Sequence, residues 1–445
     1  MHRKTLKHPF IWVLFLLVYQ PVSAENWPGW RGPRGDGTSA EQHLPKNWSA
    51  TENVAWKIPL PGTGHASPIV WEERVFILSA VPESTERLLI CLNRNTGETI
   101  WKRTVMKARL EKIHRLNSYA SSTPVTDGHL IYVTFFEAED REVVAPNVGS
   151  SRLIYPGKMV VAAYDFNGSK KWVSKPGEFI SAHGFSSSPV LYKNLVIVNG
   201  DHDGNSYLAA LDQKSGDMVW KVPRENHTRS YCTPIIREIE GRTQMLLSGS
   251  LSVASYDPGN GSQHWKIEGP TEQFVASLVY SHELVFVTAG YPEHHILAIR
   301  PDGIGNVTDT HIQWRNTRGA SYVPSPVILD DYFLIVSDAG IASCFDAKTG
   351  SRHWMKRMGR RYSASLVTAG KWVYFLSDYG ITTVIKPGKK YDEIAINALE
   401  EHCFASPAIS QGQLFVRGEQ NLYCIGTRHQ TSVDTCDTDT LESNP

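Results

Sequence analysis

The sequence predicts an all-β fold, an eight-bladed β-propeller of four-stranded antiparallel blades closed by an N-terminal strand. Three observations carry this reading. The first is a recurring turn: an Asp or Asn, polar residues, a Gly, three residues and a Trp. It stands at Asn93, Gly97 and Trp101, at Asp165, Gly168 and Trp172, and at Asp212, Gly216 and Trp220. It returns at Asp257, Gly261 and Trp265, and at Asp346, Gly350 and Trp354. An Asp or Asn side chain can fold onto the backbone two residues on, and Gly supplies the positive φ of a tight turn. Each copy therefore reads as strand, turn, strand, and such a period with a repeated aromatic marks a propeller. The second observation is a small–Ser/Thr–Pro/Leu–apolar motif at Ser67, Thr123, Ser188, Thr233, Ser277, Ser325, Ser365 and Ser406. Each begins a repeat, which gives eight. The third is that the last repeat stops after Leu422–Ile425, while a Trp strand without a repeat of its own stands at Val54–Lys57.

In chain order, residues 1–24 read as an export signal. Arg3, Lys4 and Lys7 form a basic start, Phe10–Tyr19 is an apolar run, and Val22-Ser23-Ala24 is a small-x-small cleavage pattern. The run is short against the ~20 residues of a membrane-spanning helix. Localisation is therefore expected to be periplasmic or extracellular, with no transmembrane segment after cleavage. Residues 25–51 read as an ordered arm pinned by Trp27 and Trp30. Residues 52–427 hold the propeller. Residues 428–445 are polar, rich in Thr and Asp, and are expected to be disordered.

Within each repeat a β-rich run follows the Ser/Thr start, as in Val75–Leu78, Leu195–Val198 or Phe333–Val336. A third strand follows, such as Tyr207–Leu211 or Ile341–Phe345, and then the Trp strand. Small residues at the starts have a steric reason, because eight inner strands converge on one axis. The Trp residues are expected to plug the space between blades: Trp56, Trp101, Trp172, Trp220, Trp265, Trp314 and Trp354. Each can bury ~150–250 Å². The eighth repeat lacks its outer strand, and the segment around Trp56 is expected to supply it, which removes an open sheet edge.

Without residues 1–24 the chain has 42 basic and 45 acidic residues. That near-neutral balance gives no electrostatic reason for a nucleic-acid or anionic-membrane partner. Cys91, Cys344 and Cys424 occupy the same repeat position on three blades and read as small core residues. Cys232 and Cys403 precede inner strands, and Cys436 lies in the tail. The sequence has no C-x-x-C-H haem motif, no C-x-x-C pattern and no adjacent Cys pair.

The Asp346-to-Trp354 turn resembles the docking turn of pyrroloquinoline-quinone-type (PQQ-like) propeller repeats, and the resemblance covers about residues 52–426. Trp30-Arg31-Gly32-Pro33 further resembles an exported planctomycete-like member of that family. The resemblance implies the propeller. It leaves open a quinone (PQQ)-dependent dehydrogenase with Ca²⁺, although such enzymes stack the quinone on a vicinal disulfide that this sequence lacks. It also includes a lipoprotein of outer-membrane barrel assembly, whose lipid-bearing Cys is missing here. The reading adopted is an exported binding or interaction scaffold, expected to be monomeric, for an envelope protein, peptide or glycan. Alternatives are the quinone enzyme or another propeller enzyme such as a polysaccharide lyase; no metal site and no catalytic constellation are assigned.

Residues just before the eight Ser/Thr positions should ring one mouth of the channel. They are His65, Tyr119, His183, Arg229, Tyr231, Tyr322, Arg361, Tyr362 and His402, with Phe185, Phe274 and Phe404. Aromatics with Arg and His suit a ligand or peptide site. Residues 134–158 lengthen the second blade's loop, which is where function often sits on a rigid scaffold. Asp201-His202-Asp203-Gly204-Asn205 resembles the start of a calcium loop but lacks its terminal Glu, and reads first as a turn. Asp302, Asn306 and Asp309 form a similar, weaker acidic loop.

Overall fold

The computed structural model describes residues 25–148, 151–225, 227–249 and 251–427. Residues 1–24, read above as an export signal, and the whole polar tail 428–445 with Cys436 lie outside them. Eight four-stranded antiparallel blades account for nearly every strand. The one helical element among the described residues is a single 3₁₀ turn at Pro82–Ser84.

The strand sequences explain the layering. Second and third strands are sandwiched between neighbouring blades, so they are continuous apolar runs; Leu195–Gly200 and Tyr207–Asp212 of blade three are almost wholly buried. Outer strands face water on one side and alternate, as in Met218–Pro223. The core is correspondingly divided into inter-blade layers. Phe76, Leu78, Leu89 and Cys91 of blade one pack with Trp101 against Ile131, Val133 and Ala162 of blade two.

Closure is as the sequence predicts. Val54–Pro59 is the outer strand of blade eight and pairs antiparallel with Asn421–Ile425, with Trp56 opposite Cys424 and Lys57 opposite Tyr423. Cys91 stands opposite Trp101 and Cys344 opposite Trp354, so the three cysteines do share one repeat position. None of the five described cysteines forms a disulfide, and all five are buried.

The docking tryptophans reach the next blade. The indole N–H of Trp101 donates to the carbonyl of Phe166 at 2.8 Å, Trp172 to Gln213 at 2.9 Å, and Trp314 to Ala347 at 3.0 Å. Trp220 and Trp354 do the same with Pro258 and Gly388. Trp265 departs from the pattern. Blade five has a long turn between its third and outer strands in place of the short Asp–Gly turn. Part of that turn, Gly305–Asn306, pairs in parallel with Trp265–Lys266 and adds a fifth strand to blade four. Trp265 is then fully buried and donates to Gln244 Oε1 of its own blade at 2.9 Å. The acidic loop around Asn306 thus covers a sheet edge. Blade seven has Ala395 where the others carry Trp, and Trp48 of the arm packs into that cluster, its ring 6.3 Å from Tyr374.

The repeat-starting hydroxyls do more than save space. The amide of Ser67 donates to Thr123 Oγ1 (3.1 Å), Thr123 to Ser188 Oγ (2.9 Å), and Ser188 to Thr233 Oγ1 (3.2 Å). Ser277 donates to Ser325 Oγ, Ser325 to Ser365 Oγ, and Ser365 to Ser406 Oγ, at 2.8–2.9 Å. Six of the eight inner strands therefore have their first amide satisfied by the next blade, inside a region where an unpaired N–H would be costly.

The arm runs across the end of the channel where the inner strands finish. Trp27 forms a bridge with Val70 of blade one, and the amide of Thr126 in blade two donates to Pro28. Arg237 of blade four donates to the Arg34 carbonyl, and Thr38–Ser39 pairs in parallel with the inner strand of blade seven. Between these anchors Trp30 turns into the channel, its indole N–H donating to Ser277 Oγ at 2.9 Å. Arg31, fully buried, donates to the carbonyls of Pro326 and Leu366.

Candidate functional site

Above Trp30 the channel opens into a cavity of 530 Å³. A second cavity of 710 Å³ lies at the mouth over blades two to five, and the two share His114, His183 and Tyr322. Together they form one depression, floored by Trp30 and open at the face of the loops that enter the inner strands.

Five of the nine predicted mouth residues line it. His65 and Tyr231 face the inner cavity, Arg229 the outer one, and His183 and Tyr322 both. Phe404 also lines the inner cavity, its ring 4.6 Å from that of His65. The other four lie off the lining. Tyr119 sits under the Arg87 guanidinium, 5.2 Å away. Tyr362 is buried between blades six and seven. Arg361 is exposed in a left-handed backbone conformation. His402 is exposed at the rim, where its Nδ1 bonds the Asp378 carbonyl and its ring stacks on Phe404. Phe185 and Phe274 are buried in the core.

Residues that sequence reasoning missed complete the lining. His114 comes from the long connection between blades one and two. That connection folds back across the mouth, where Asn117 Nδ2 and the His114 amide both donate to the His183 carbonyl. The blade-two insertion forms a hairpin, Val143–Val144 with Leu153–Ile154, which packs on Ala182 and Ile180 and brings Asn147, Val148 and Arg152 to the rim. His294 and Asp338 enter from turns between second and third strands.

The charges inside are largely matched within the protein. Arg229 is paired with Asp203 at 2.8 Å, both buried, and its Nε donates to His183 Nδ1 at 3.1 Å. Asp201 is held by Arg224 at 2.9 and 3.1 Å. The calcium-like segment is thus a turn whose two carboxylates are taken by arginines. Asp338 accepts the amides of Tyr322 (2.9 Å) and Val323 (3.1 Å), and Asp378 that of Ser363 at 2.7 Å. Burial pushes both carboxyls above the usual Asp range. Burial, reinforced by Arg417, pulls His65 down to about 4; burial and then Arg229 pull His183 down to about 4. Both imidazoles are neutral at physiological pH. Because His183 Nδ1 accepts from Arg229, its proton sits on Nε2. His114 Nδ1 accepts from the Leu116 amide at 3.3 Å, which fixes the same tautomer. The two rings lie 5.4 Å apart.

Comparison with known proteins agrees with this architecture. The family model described as outer membrane protein assembly factor BamB matches residues 86–356 and 306–443. The solved structure of BamB from Moraxella catarrhalis is similar at 13% identity and a TM-score of 0.57, covering 85% of this chain and 98% of that one. The computationally designed Ika8 protein is similar at 10% identity and a TM-score of 0.54, covering 88% and 99%. A quinohemoprotein alcohol dehydrogenase from Comamonas testosteroni reaches a TM-score of 0.49 at 12% identity, covering 91% and 81%. Comparison with curated proteins finds no match.

Proposed function

The chain belongs to the family described as outer membrane protein assembly factor BamB, and from that premise we propose that it is an exported interaction scaffold of the cell envelope, binding its partner at the open mouth of the propeller. The observation that carries this reading is the one-ended depression. Aromatic and imidazole side chains converge there from several blades, and Trp30 closes it from below. A site presented by loops on a rigid ring suits recognition. Export rests on the basic, apolar and small-x-small succession of residues 1–24. No helix among the described residues is long and apolar enough to cross a membrane.

Quinone chemistry, implied by part of the wider repeat family, does not fit these residues. A quinone bearing several carboxylates needs free cations around it, and the buried Arg229 is committed to Asp203. A divalent cation needs converging oxygen ligands. Among the described residues no group of three His, Cys, Asp or Glu side chains is placed to hold one.

A photo-cross-linking residue at Tyr291, which is exposed at the mouth, tests the proposal in intact envelopes. The expected result is a discrete adduct that is absent when the same residue replaces Val219 on an outer strand. The mature N-terminus should be Glu25. A chain retained inside the cell with residues 1–24 intact, or adducts formed only from Val219, would refute it.

A further inference from the structure

We propose that the cavity above Trp30 takes the end of an uncharged glycan, held by imidazole and hydroxyl hydrogen bonds between aromatic faces. This rests on the reading of the mouth as a binding face and names the class of ligand.

Three observations select it. First, the cavity's charges are spent internally. Arg229 is bound to Asp203, and the Asp338 carboxylate holds the backbone amides of Tyr322 and Val323. What remains at the rim is one cation and one anion, Arg152 and Glu272. An ionic ligand would find no net partner and would lose its hydration, which is costly.

Second, the polar groups left facing the cavity are neutral and suit hydroxyls. His114 and His183 each use Nδ1 as an acceptor, so each has an Nε2–H on the opposite side of the ring, with no hydrogen-bond partner among the described residues. The hydroxyl of Ser186 lines the same space and can donate and accept, and that of Ser363, which donates to Asp378 at 3.3 Å, can still accept. A sugar hydroxyl matches such a set without any change of charge. The rings of Phe404, Tyr231 and Trp30 line the same space and supply apolar contact for the C–H groups of a pyranose.

Third, the geometry disfavours an extended peptide. Strand addition needs free backbone amides along an edge. Here the first amides of six inner strands are taken by hydroxyls of the next blade. The blind floor at Trp30 admits a chain end and not a through-running strand. At 530 Å³ the cavity falls within the range of small-ligand pockets, about 300–1,000 Å³.

The test is saturation-transfer NMR and calorimetry on the mature protein. The neutral probes are maltotriose, cellotriose and chitotriose; trigalacturonate, triglutamate and trilysine are the charged ones. At least one neutral trisaccharide should bind saturably and more tightly than every charged probe. His114→Ala and Phe404→Ala, on separate parts of the lining, should each weaken it at least tenfold while melting curves stay close to wild type. Val219→Ala should leave binding unchanged. Tighter binding of a charged probe overturns the proposal, and so does neutral binding that neither variant weakens. Absence of binding by all three neutral probes overturns it as well. In that case an adduct from Tyr291 in envelopes would keep the scaffold reading, whereas loss of both would remove the mouth as a site.

Discussion

Trp56 donates its indole N–H to the carbonyl of Arg94 at 2.7 Å. The donor lies on the strand that completes blade eight, and the acceptor lies in the turn between the third and outer strands of blade one. The same tryptophan that finishes the last blade therefore docks on the first. Gly97 makes this possible: its φ is +77°, and a Cβ built there would stand 2.8 Å from the Trp56 ring. Residues 54–59 close the ring twice, through the strand ladder to Asn421–Ile425 and through this contact.

A chain starting at Gly62 should consequently be poorly soluble and melt far below the mature protein, because it exposes the edge of Asn421–Ile425 and empties the Trp56 site. A chain ending at Arg428 should behave like the mature protein. Gly97→Ala should cost about 1–3 kcal/mol, from backbone strain and overpacking together. Size-exclusion chromatography and thermal melts decide this. A monomeric, equally stable chain from Gly62 would mean that the ring does not depend on its N-terminal strand.

Two tryptophans at equivalent repeat positions should differ in cost. Trp220 is partly exposed and bonds across to blade four. Trp265 is fully buried beneath the extra strand and bonds within its own blade. Trp220→Ala should cost about 3–5 kcal/mol, towards the lower end, and Trp265→Ala more, since the cost of deleting an aromatic rises with the cavity it leaves. Equal losses in denaturant unfolding would show that the covering strand Gly305–Asn306 adds nothing.

The ring and its closure were legible because they rest on periodic signals. A Gly four residues before a Trp, and a hydroxyl before an apolar run, recur whatever the loops do. The mouth was legible only in part. His65, His183, Arg229, Tyr231 and Tyr322 precede repeat starts, so the topology alone brings them to one end. Tyr362 and Phe274 precede starts too, but a loop has no period to say which of its aromatics turns into the core. His114 lies nine residues before the start at Thr123, further back than the predicted mouth residues, and Trp30 lies in the arm, outside every repeat. They reach the cavity through folds set by distant contacts, Asn117 with His183 in one case and Arg31 with Leu366 in the other.

The hydroxyl ring separates two residues that look alike in sequence. Ser325 Oγ accepts the Ser277 amide at 2.9 Å, whereas Ser67 Oγ is buried with no partner among the described residues. Ser325→Ala strands a buried N–H and should cost about 1–3 kcal/mol. Ser67→Ala removes an unused hydroxyl and should be neutral or slightly stabilising. If the two variants melted alike, the hydroxyls would be serving only as small residues.

The last prediction concerns acid. His202, in the turn between the second and third strands of blade three, is buried. Its Nδ1 accepts the amides of Gly204 (2.9 Å) and Ile180 (3.2 Å), and its Nε2–H reaches the Asn205 carbonyl at 3.0 Å. Protonation would cost both amide bonds, and burial pulls its pKa down to about 4 from the ordinary 6.5. An unfolded chain takes up this proton near pH 6.5, the folded one only near 4. Between those values the unfolded state binds more protons, so the His202 contribution falls as pH drops through the window and levels off below it. His65 and His183, held down to about 4, act in the same direction. The raised carboxyls of Asp338 and Asp378 act in the opposite one, so total stability is a poor readout and a single-site comparison is needed. His202→Asn keeps an acceptor near Nδ1 and removes the titration. In urea unfolding from pH 7.5 to 4.5, wild type should lose stability more steeply than this variant, the gap between them changing most from about pH 6.5 downward. A gap that stayed constant across the range would mean that His202 titrates alike in the folded and unfolded chains, and the turn around Gly204 would have to tolerate an imidazolium.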